Sequence, residues 1–245
     1  MPLIILSILV QLALVVHIIK TGRNTTWVFI VLFFPLIGSL AYFIVELLPE
    51  LLGSRTGRTA AKKVAKAINP DKELREAVER YEIAATPKNA LTLANAHLQH
   101  GHYAEAKELL VRARVGLFSD DPDMMLGLSS AHFGLGEYAE TLLLLDELKR
   151  MHPKRTTGEG HLLYARALQE SDRIAEAIKE YEALVAYFPG PEPACRLAMI
   201  LRERGESGRA EELLQGVLQK ARISGRHYND LYKEWVALAR REARG

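Results

Sequence analysis

His152, Lys154 and Glu159 form the first arrangement in this 245-residue chain that could do chemistry. In the pattern His-x-Lys-x-x-x-x-Asp, used in pairs, a histidine nucleophile held by fixed partners cuts and rejoins phosphodiesters. Here the acid is Glu159, no second copy exists, and Pro153 marks a turn between helices, so that chemistry is set aside. His97, His100 and His102 suggest a metal site. His97 and His132, however, occupy equivalent places of an internal repeat, and packing accounts for them better. Cys195 is the only cysteine, so neither an internal disulfide nor a cysteine-rich zinc site can form. No phosphate loop and no convincing Ser/His/Asp array is present. The expectation is a non-enzyme without cofactor or metal.

The elements around these residues come in two kinds. From Met1 to Glu50 the only charged residues are Lys20, Arg23, Glu46 and Glu50. The rest of the chain holds 30 Lys and Arg against 28 Asp and Glu, which argues against a nucleic-acid partner because phosphates demand excess positive charge. Leu3–Ile19 is apolar apart from Ser7, Gln11 and His17, and as a helix reaches roughly 25 Å. Trp27–Leu48 reaches roughly 33 Å. The polar link between them is so short that the two must form a hairpin, with both chain ends on one side. A cleaved signal peptide competes for the first run, but no positive residue precedes it and no small-x-small site follows. A buried hairpin away from lipid competes for both, against their apolar composition on all faces. Gln11 and His17 could bond across the hairpin; for His17 a place near the membrane interface competes.

Arg23-Asn24, Thr26-Trp27, Pro35, Gly38 and Tyr42 fall in the order Arg-Asn … Thr-x-Trp … Pro-x-x-Gly-x-x-x-Tyr. Residues 1–48 thereby resemble the two-helix membrane module of bacterial cardiolipin synthases and related phospholipase D-like proteins. Glu46-Leu-Leu-Pro-Glu50 departs from the apolar, glycine-ended finish of that module. In physical terms Trp27 suits an interface, Pro35 can kink the second helix, and Gly38 permits close approach of the first. Lys20 and Arg23 in the turn are outnumbered by Arg55, Arg58, Lys62, Lys63 and Lys66 after the second helix. That bias places the C-terminal side in the cytoplasm. Residues 59–68 read either as a short basic helix on anionic lipid or as a solvated linker. Asn69-Pro70-Asp71 then breaks the chain and starts a new helix.

Beyond residue 70 the sequence repeats itself. Tyr103-Ala-Glu-Ala-Lys-Glu-Leu-Leu110, Tyr138-Ala-Glu-Thr-Leu-Leu-Leu-Leu145, Ile174-Ala-Glu-Ala-Ile-Lys-Glu-Tyr181 and Ser207-Gly-Arg-Ala-Glu-Glu-Leu-Leu214 align, at spacings of 35, 36 and 33 residues. Gly101, Gly136, Asp172 and Gly205 mark the turn before each copy. Seven places upstream stands a small residue, Ala94, Ser129, Ala165 or Ala198, preceded by bulky Leu93, Leu128, Tyr164 or Leu197. Pro153 and Pro189 close two copies. This resembles the tetratricopeptide repeat over about residues 87–222. Glu73–Ala85 looks like a leading half-repeat. Tyr228, Leu231, Trp235 and Leu238 line one face of a last, capping helix. The fold class expected is all-α. A transmembrane hairpin (1–50) and a basic juxtamembrane linker (51–70) precede an α-solenoid of about four helix pairs with flanking helices (71–245).

The resemblance implies a concave groove lined by the first helix of each pair, holding an extended or helical segment of another protein. Its outward positions include Asn95, Gln99, Ser130, Phe133, Arg166, Gln169, Arg196 and Arg202. Asn95 matches one part of the family's carboxylate clamp, but Leu91 stands where that clamp needs a lysine. The arginines suggest an acidic or phosphate-bearing partner, against the reading that they are solvated charges. No Cys-x-x-Cys follows, so the metal-binding tail of some membrane-anchored relatives is missing. The leading expectation is a bacterial inner-membrane adaptor, multi-pass, with a cytoplasmic repeat domain that gathers a partner protein. The alternative is a non-catalytic accessory of cardiolipin-type phospholipid synthesis, inferred from the likeness of the anchor; an enzyme ranks third.

Overall fold

A computed structural model describes residues 2–22, 24, 26–47, 71–155 and 157–243. The chain divides into two compact units, Met1–Lys72 and Glu73–Gly245. The described residues form helices and turns without a strand.

In the first unit, α1 is Pro2–Lys20, with side chains described from Val10 onward. The second apolar run is not the single helix expected over Trp27–Leu48. It forms α2, Thr26–Phe33, then α3, Pro35–Tyr42, then a π-helical turn, Phe43–Leu47. The break is at Phe34, whose φ of −124° and ψ of 77° leave the helical region. A proline in the next place accounts for it, since the residue before any proline is disfavoured in the helical region and a proline brings no N–H. Gly38 lies against the backbone of α2. A Cβ there would lie 2.2 Å from the Ile30 carbonyl oxygen. Among the described residues no helix is long and apolar enough to cross a membrane. The basic stretch Arg55, Arg58, Lys62, Lys63 and Lys66 lies outside the described residues.

Polar groups hold this unit together from inside. Gln11 Nε2 donates to the Val31 carbonyl (3.0 Å), His17 Nδ1 meets the Tyr42 hydroxyl (3.1 Å), and Trp27 Nε1 donates to Glu46 Oε1 (3.1 Å). Ile18, Val31 and Tyr42 are fully buried between the helices. Both Gln11 and His17 thus bond across the hairpin.

In the second unit a lone helix, α4 (Lys72–Ile83), precedes four antiparallel pairs. These are α5 (Pro87–Gln99) with α6 (Tyr103–Ala113), α7 (Pro122–Gly134) with α8 (Tyr138–Met151), α9 (Gly158–Glu170) with α10 (Ile174–Tyr187), and α11 (Glu192–Glu203) with α12 (Ser207–Ile223). The pairs cross on small residues. Ala94, Ser129, Ala165 and Ala198 are buried, and so are their opposites Ala106, Thr141, Ala177 and Ala210. In the second pair Thr141 Oγ1 reaches the Ser129 carbonyl (3.4 Å) across this crossing. Leu93, Leu128 and Leu197 are buried beside them, and Tyr164 packs at the border of both core clusters.

Each pair turns through one left-handed residue: Gly101, Gly136, Asp172 and Gly205 have φ of 74°, 78°, 57° and 80°. The next residue but none further closes the helix end. His102, Glu137, Arg173 and Glu206 donate their N–H to the His97, His132, Leu168 and Leu201 carbonyls, a Schellman closure repeated four times. Thr86, Asp121 and Thr157 accept backbone N–H groups at the starts of α5, α7 and α9. Glu137 ties neighbouring pairs together through Lys107 (2.6 Å) and His132 (2.6 Å). The capping helix expected at the C-terminus is two, α13 (Gly225–Leu231) and α14 (Lys233–Glu242), broken at Tyr232. α14 packs on α11 and α12, where a further pair would start.

Two predictions follow from these turns. Asp172→Gly should stabilise the repeat unit by about 0.5–1 kcal/mol, because glycine takes the left-handed turn without a Cβ clash, and Gly136→Ala should cost about 1 kcal/mol. Chemical denaturation of each variant checks both. The Lys107 and His132 contacts hold the Glu137 carboxyl below its ordinary value of 4.5. A carboxylate lowered on folding stabilises the fold above its unfolded value and loses that effect as pH falls through the folded value. Glu137→Gln should therefore melt below the parent at neutral pH, and the gap should close as pH drops below 4.5.

Candidate partner-binding groove

The first helices of successive pairs lie side by side: α5 packs on α7, α7 on α9, and α11 on α14. Stacking of this kind exposes one continuous face, because each first helix gives its other sides to its own pair and to the pair before. The eight expected groove residues all sit on α5, α7, α9 and α11. Asn95 and Gln99 are exposed on α5. On α7, Ser130 donates back to the Leu126 carbonyl (2.9 Å). On α9, Gln169 Oε1 accepts the Tyr181 hydroxyl (2.7 Å), so it holds the fully buried Tyr181 of α10.

The centre of the face is a ladder of aromatic and charged groups. Phe133 lies under the Arg166 guanidinium, 4.6 Å from its ring centroid. Arg166 Nε faces Glu192 Oε1 at 3.8 Å, and Arg196 Nε donates to the same oxygen at 2.7 Å. Arg196 in turn lies 5.3 Å from the Trp235 ring centroid. The structure therefore brings Phe133, Arg166 and Arg196 together across α7, α9 and α11. Arg202 stands apart from them. Its Nη1 donates to Glu242 Oε2 (2.9 Å) and its Nη2 to the Glu242 carbonyl (2.5 Å), which pins the end of α14.

These contacts change what the arginines can do. Glu192 and Glu242 already answer much of their charge, so a partner must add to or replace an internal carboxylate. Arg196 and Arg202 also hold α14 in place, which makes them part of the fold as well as of the face. Sequence reasoning missed Glu192, Trp235 and Glu242 as members of this surface. Only Glu192 left a signal, four residues before Arg196 on one helix.

The remaining candidates have structural surroundings. Burial pushes the Cys195 thiol up to about 12, far from a nucleophile's range. His97 Nδ1 lies 3.3 Å from His102 Nδ1, and burial lowers the His97 pKa first, with His102 and His100 adding to it. His132 is mostly buried and faces Glu137. Its counterparts in the later pairs, Leu168 and Leu201, are fully buried, in keeping with packing positions. His152 Nε2 meets the Asp120 carbonyl (2.7 Å) in a connection between pairs. No group of three or more metal-ligating side chains is arranged around one point among the described residues.

Antiparallel pairs crossing on small residues, closed by left-handed turns and exposing one face of first helices, define an α-solenoid of the protein-binding kind. A family profile of the tetratricopeptide repeat matches residues 91–155 and 162–225, more than half of the chain, and the chain belongs to the tetratricopeptide repeat family. Proteins of this family act as scaffolds for protein partners. Solved structures agree on the fold. A thermophilic repeat protein of Thermus thermophilus superposes with a TM-score of 0.56 at 17% identity, over 74% of this chain and 95% of that one. MamA of Desulfovibrio magneticus superposes with 0.54 at 15% identity, over 67% and 93%. No curated protein matches.

Arg202→Ala should loosen the end of the solenoid by about 1–3 kcal/mol, since Glu242 would lose a charge-assisted partner. Amide exchange in residues 233–242 should rise while that of α5 and α6 stays put. Asn95→Ala, on an exposed position, should change stability by less than about 0.5 kcal/mol.

Proposed function

We propose that the chain is a membrane-tethered adaptor that recruits a partner protein through the face of its first helices. The observation that supports tethering is the inverted pattern of the N-terminal unit. Gln11, His17 and Trp27 spend their polar atoms inside the hairpin. Leu12, Ile19, Phe29, Phe33, Ile37 and Leu40 point outward, each more than half exposed. Water-facing surfaces rarely leave so continuous an apolar patch uncovered, and a bilayer covers it without cost. The likeness of residues 1–48 to the cardiolipin synthase module fits this reading, because Tyr42 of that motif bonds His17 across the hairpin and Trp27 packs edge-on against Tyr42. The basic residues after the hairpin favour a cytoplasmic repeat domain at a bacterial inner membrane.

For the partner, the face supports an acidic or phosphate-bearing segment. Arg166 is the cation best placed to receive it. Its Nε is buried without a hydrogen bond, and it shares Glu192 with Arg196 rather than holding a carboxylate of its own.

Carbonate washing of membranes tests the tether: the full chain should stay in the pellet and a chain lacking residues 1–50 should not. Release of the full chain would end the membrane reading. Crosslinking and pull-down from the same membranes test the groove. Arg166→Ala combined with Asn95→Ala should keep helix content and lower partner recovery severalfold, in line with the loss of a charge-assisted contact. Unchanged recovery with intact folding would end the acidic-partner reading.

A further inference from the structure

The solenoid has two long edges, and they differ. The turns inside each pair lie on one edge, and the connections between pairs lie on the other. Contacts between successive connections fix the second edge. His152 reaches the Asp120 carbonyl, Arg155 faces Asp123 (3.7 Å), and Lys220 donates to the Pro189 carbonyl (3.1 Å).

Large apolar side chains stand bare on this connecting edge. Leu117 is 99% exposed, Ile83 86% and Ile223 75%, with Val115 and Tyr187 also largely open. Toward the turn edge, among the described residues, Leu135 is less open at 40%, and Leu143, five residues into α8, is 71% exposed on its outer side. Charge divides in the same way. The last turns that reach the connecting edge carry Arg112, Lys149, Arg150, Lys220 and Arg222. The first turns at the opposite edge carry Glu73, Glu105, Glu140 and Glu176. The connecting edge also carries acids: Asp121 caps α7, Asp123 faces Arg155, Glu192 faces Arg166 and Arg196, and Glu159 stands in the first turn of α9.

Helix dipoles favour bases at C-termini and acids at N-termini, and so account for part of the charge division. They do not account for the exposed Ile83, Leu117 and Ile223. A row of apolar tips interleaved with Lys and Arg is what an interfacial surface needs. The tips enter the head-group boundary, and the cations meet anionic lipid.

From this polarity we infer that the connecting edge rests on a bilayer surface of anionic phospholipid, with the Gly116–Phe118 turn as its deepest point. The inference concerns the repeat unit and stands whether or not residues 1–50 span. It also leaves the face of first helices open to a partner.

The test uses the full chain mixed with vesicles of phosphatidylcholine, or of phosphatidylcholine with phosphatidylglycerol. An environment-sensitive thiol probe is attached through Leu117→Cys; Cys195 is buried and its thiol unreactive. On anionic vesicles the emission should move to shorter wavelength, and lipid-borne quenchers should dim it. On neutral vesicles, or with the probe on the opposite edge through Glu140→Cys, both effects should be small. Adding Ile83→Asp and Ile223→Asp should remove the shift while far-UV dichroism stays unchanged. Each of Arg112, Arg150 and Arg222 changed to Gln should weaken the response to anionic lipid by about fivefold, with less effect at high salt. A probe at 117 that stays in water on anionic vesicles overturns the inference, as does an equal shift on both vesicle types. Flotation of the unlabelled chain with neutral vesicles reports the tether separately, so failure of one reading is not failure of the other.

Discussion

The repeat unit depends on one contact: small residue against small residue where the two helices of a pair cross. Ala94 meets the level of Ala106, Ala165 that of Ala177, and Ala198 that of Ala210, all buried. Packed helices normally stand 8–10 Å apart, and the side chains at the crossing set the value. Alanine on both sides holds the pair at the near end of that range. The turn must then be short, and a left-handed residue makes it so. The second pair reaches the same closeness with hydroxyls. Ser129 and Thr141 are fully buried, and each satisfies its hydroxyl on a carbonyl one turn back, Met125 at 2.8 Å and Glu137 at 2.9 Å. A larger side chain at any of these eight places would force the pair apart and cost about 1–3 kcal/mol. It would also tilt every later pair, since each pair contacts only its neighbours.

With the packing fixed by small residues, the polar groups of the first helices are free to build a surface. They also stiffen it. Phe133, Arg166, Glu192, Arg196 and Trp235 link α7, α9, α11 and α14 by alternating cation–π and ion-pair contacts. An exposed cation–π contact contributes about 0.5–1 kcal/mol and an exposed ion pair less. The sum is modest, but the ladder holds the guanidinium planes in place. Groups held in advance lose less entropy when a partner arrives. The face is therefore prepared for binding by the same contacts that fasten the last helix.

How much of this the sequence disclosed depends on how local each feature is. The small residues and the turns are set within a dozen residues, the period shows once four copies are aligned, and Gly101, Gly136, Asp172 and Gly205 are legible as stops. Pro35 is legible as a kink, but the depth of the break at Phe34 is not, because it depends on how α3 settles against α2. The split of the last helix at Tyr232 carries no glycine or proline to announce it. The partners of the arginines are hidden for a different reason. Glu242 is 40 residues from Arg202, and only the stacking of α14 on α11 brings them together. Glu192 was within reach of Arg196 by helical spacing, yet Arg166 could be joined to it only by the fold.

The N-terminal unit obeys the opposite rule for polar groups, and the reason lies in Pro35. A proline brings no N–H, so the carbonyl four residues before it, that of Val31, loses the partner a continuous helix would supply. Val31 is fully buried, and water cannot take that place at no cost. Gln11 supplies it from α1, at 3.0 Å. The kink and the glutamine therefore belong together. The proline makes a vacancy on α2, and the side chain that fills it sets the register of α1 against α2. His17 on Tyr42 and Trp27 on Glu46 extend the same inward use of polar atoms along the hairpin. In water such inward bonds would gain little over bonds to solvent. In hydrocarbon the alternative would be an unsatisfied group costing several kcal/mol, and the same three bonds would weigh far more.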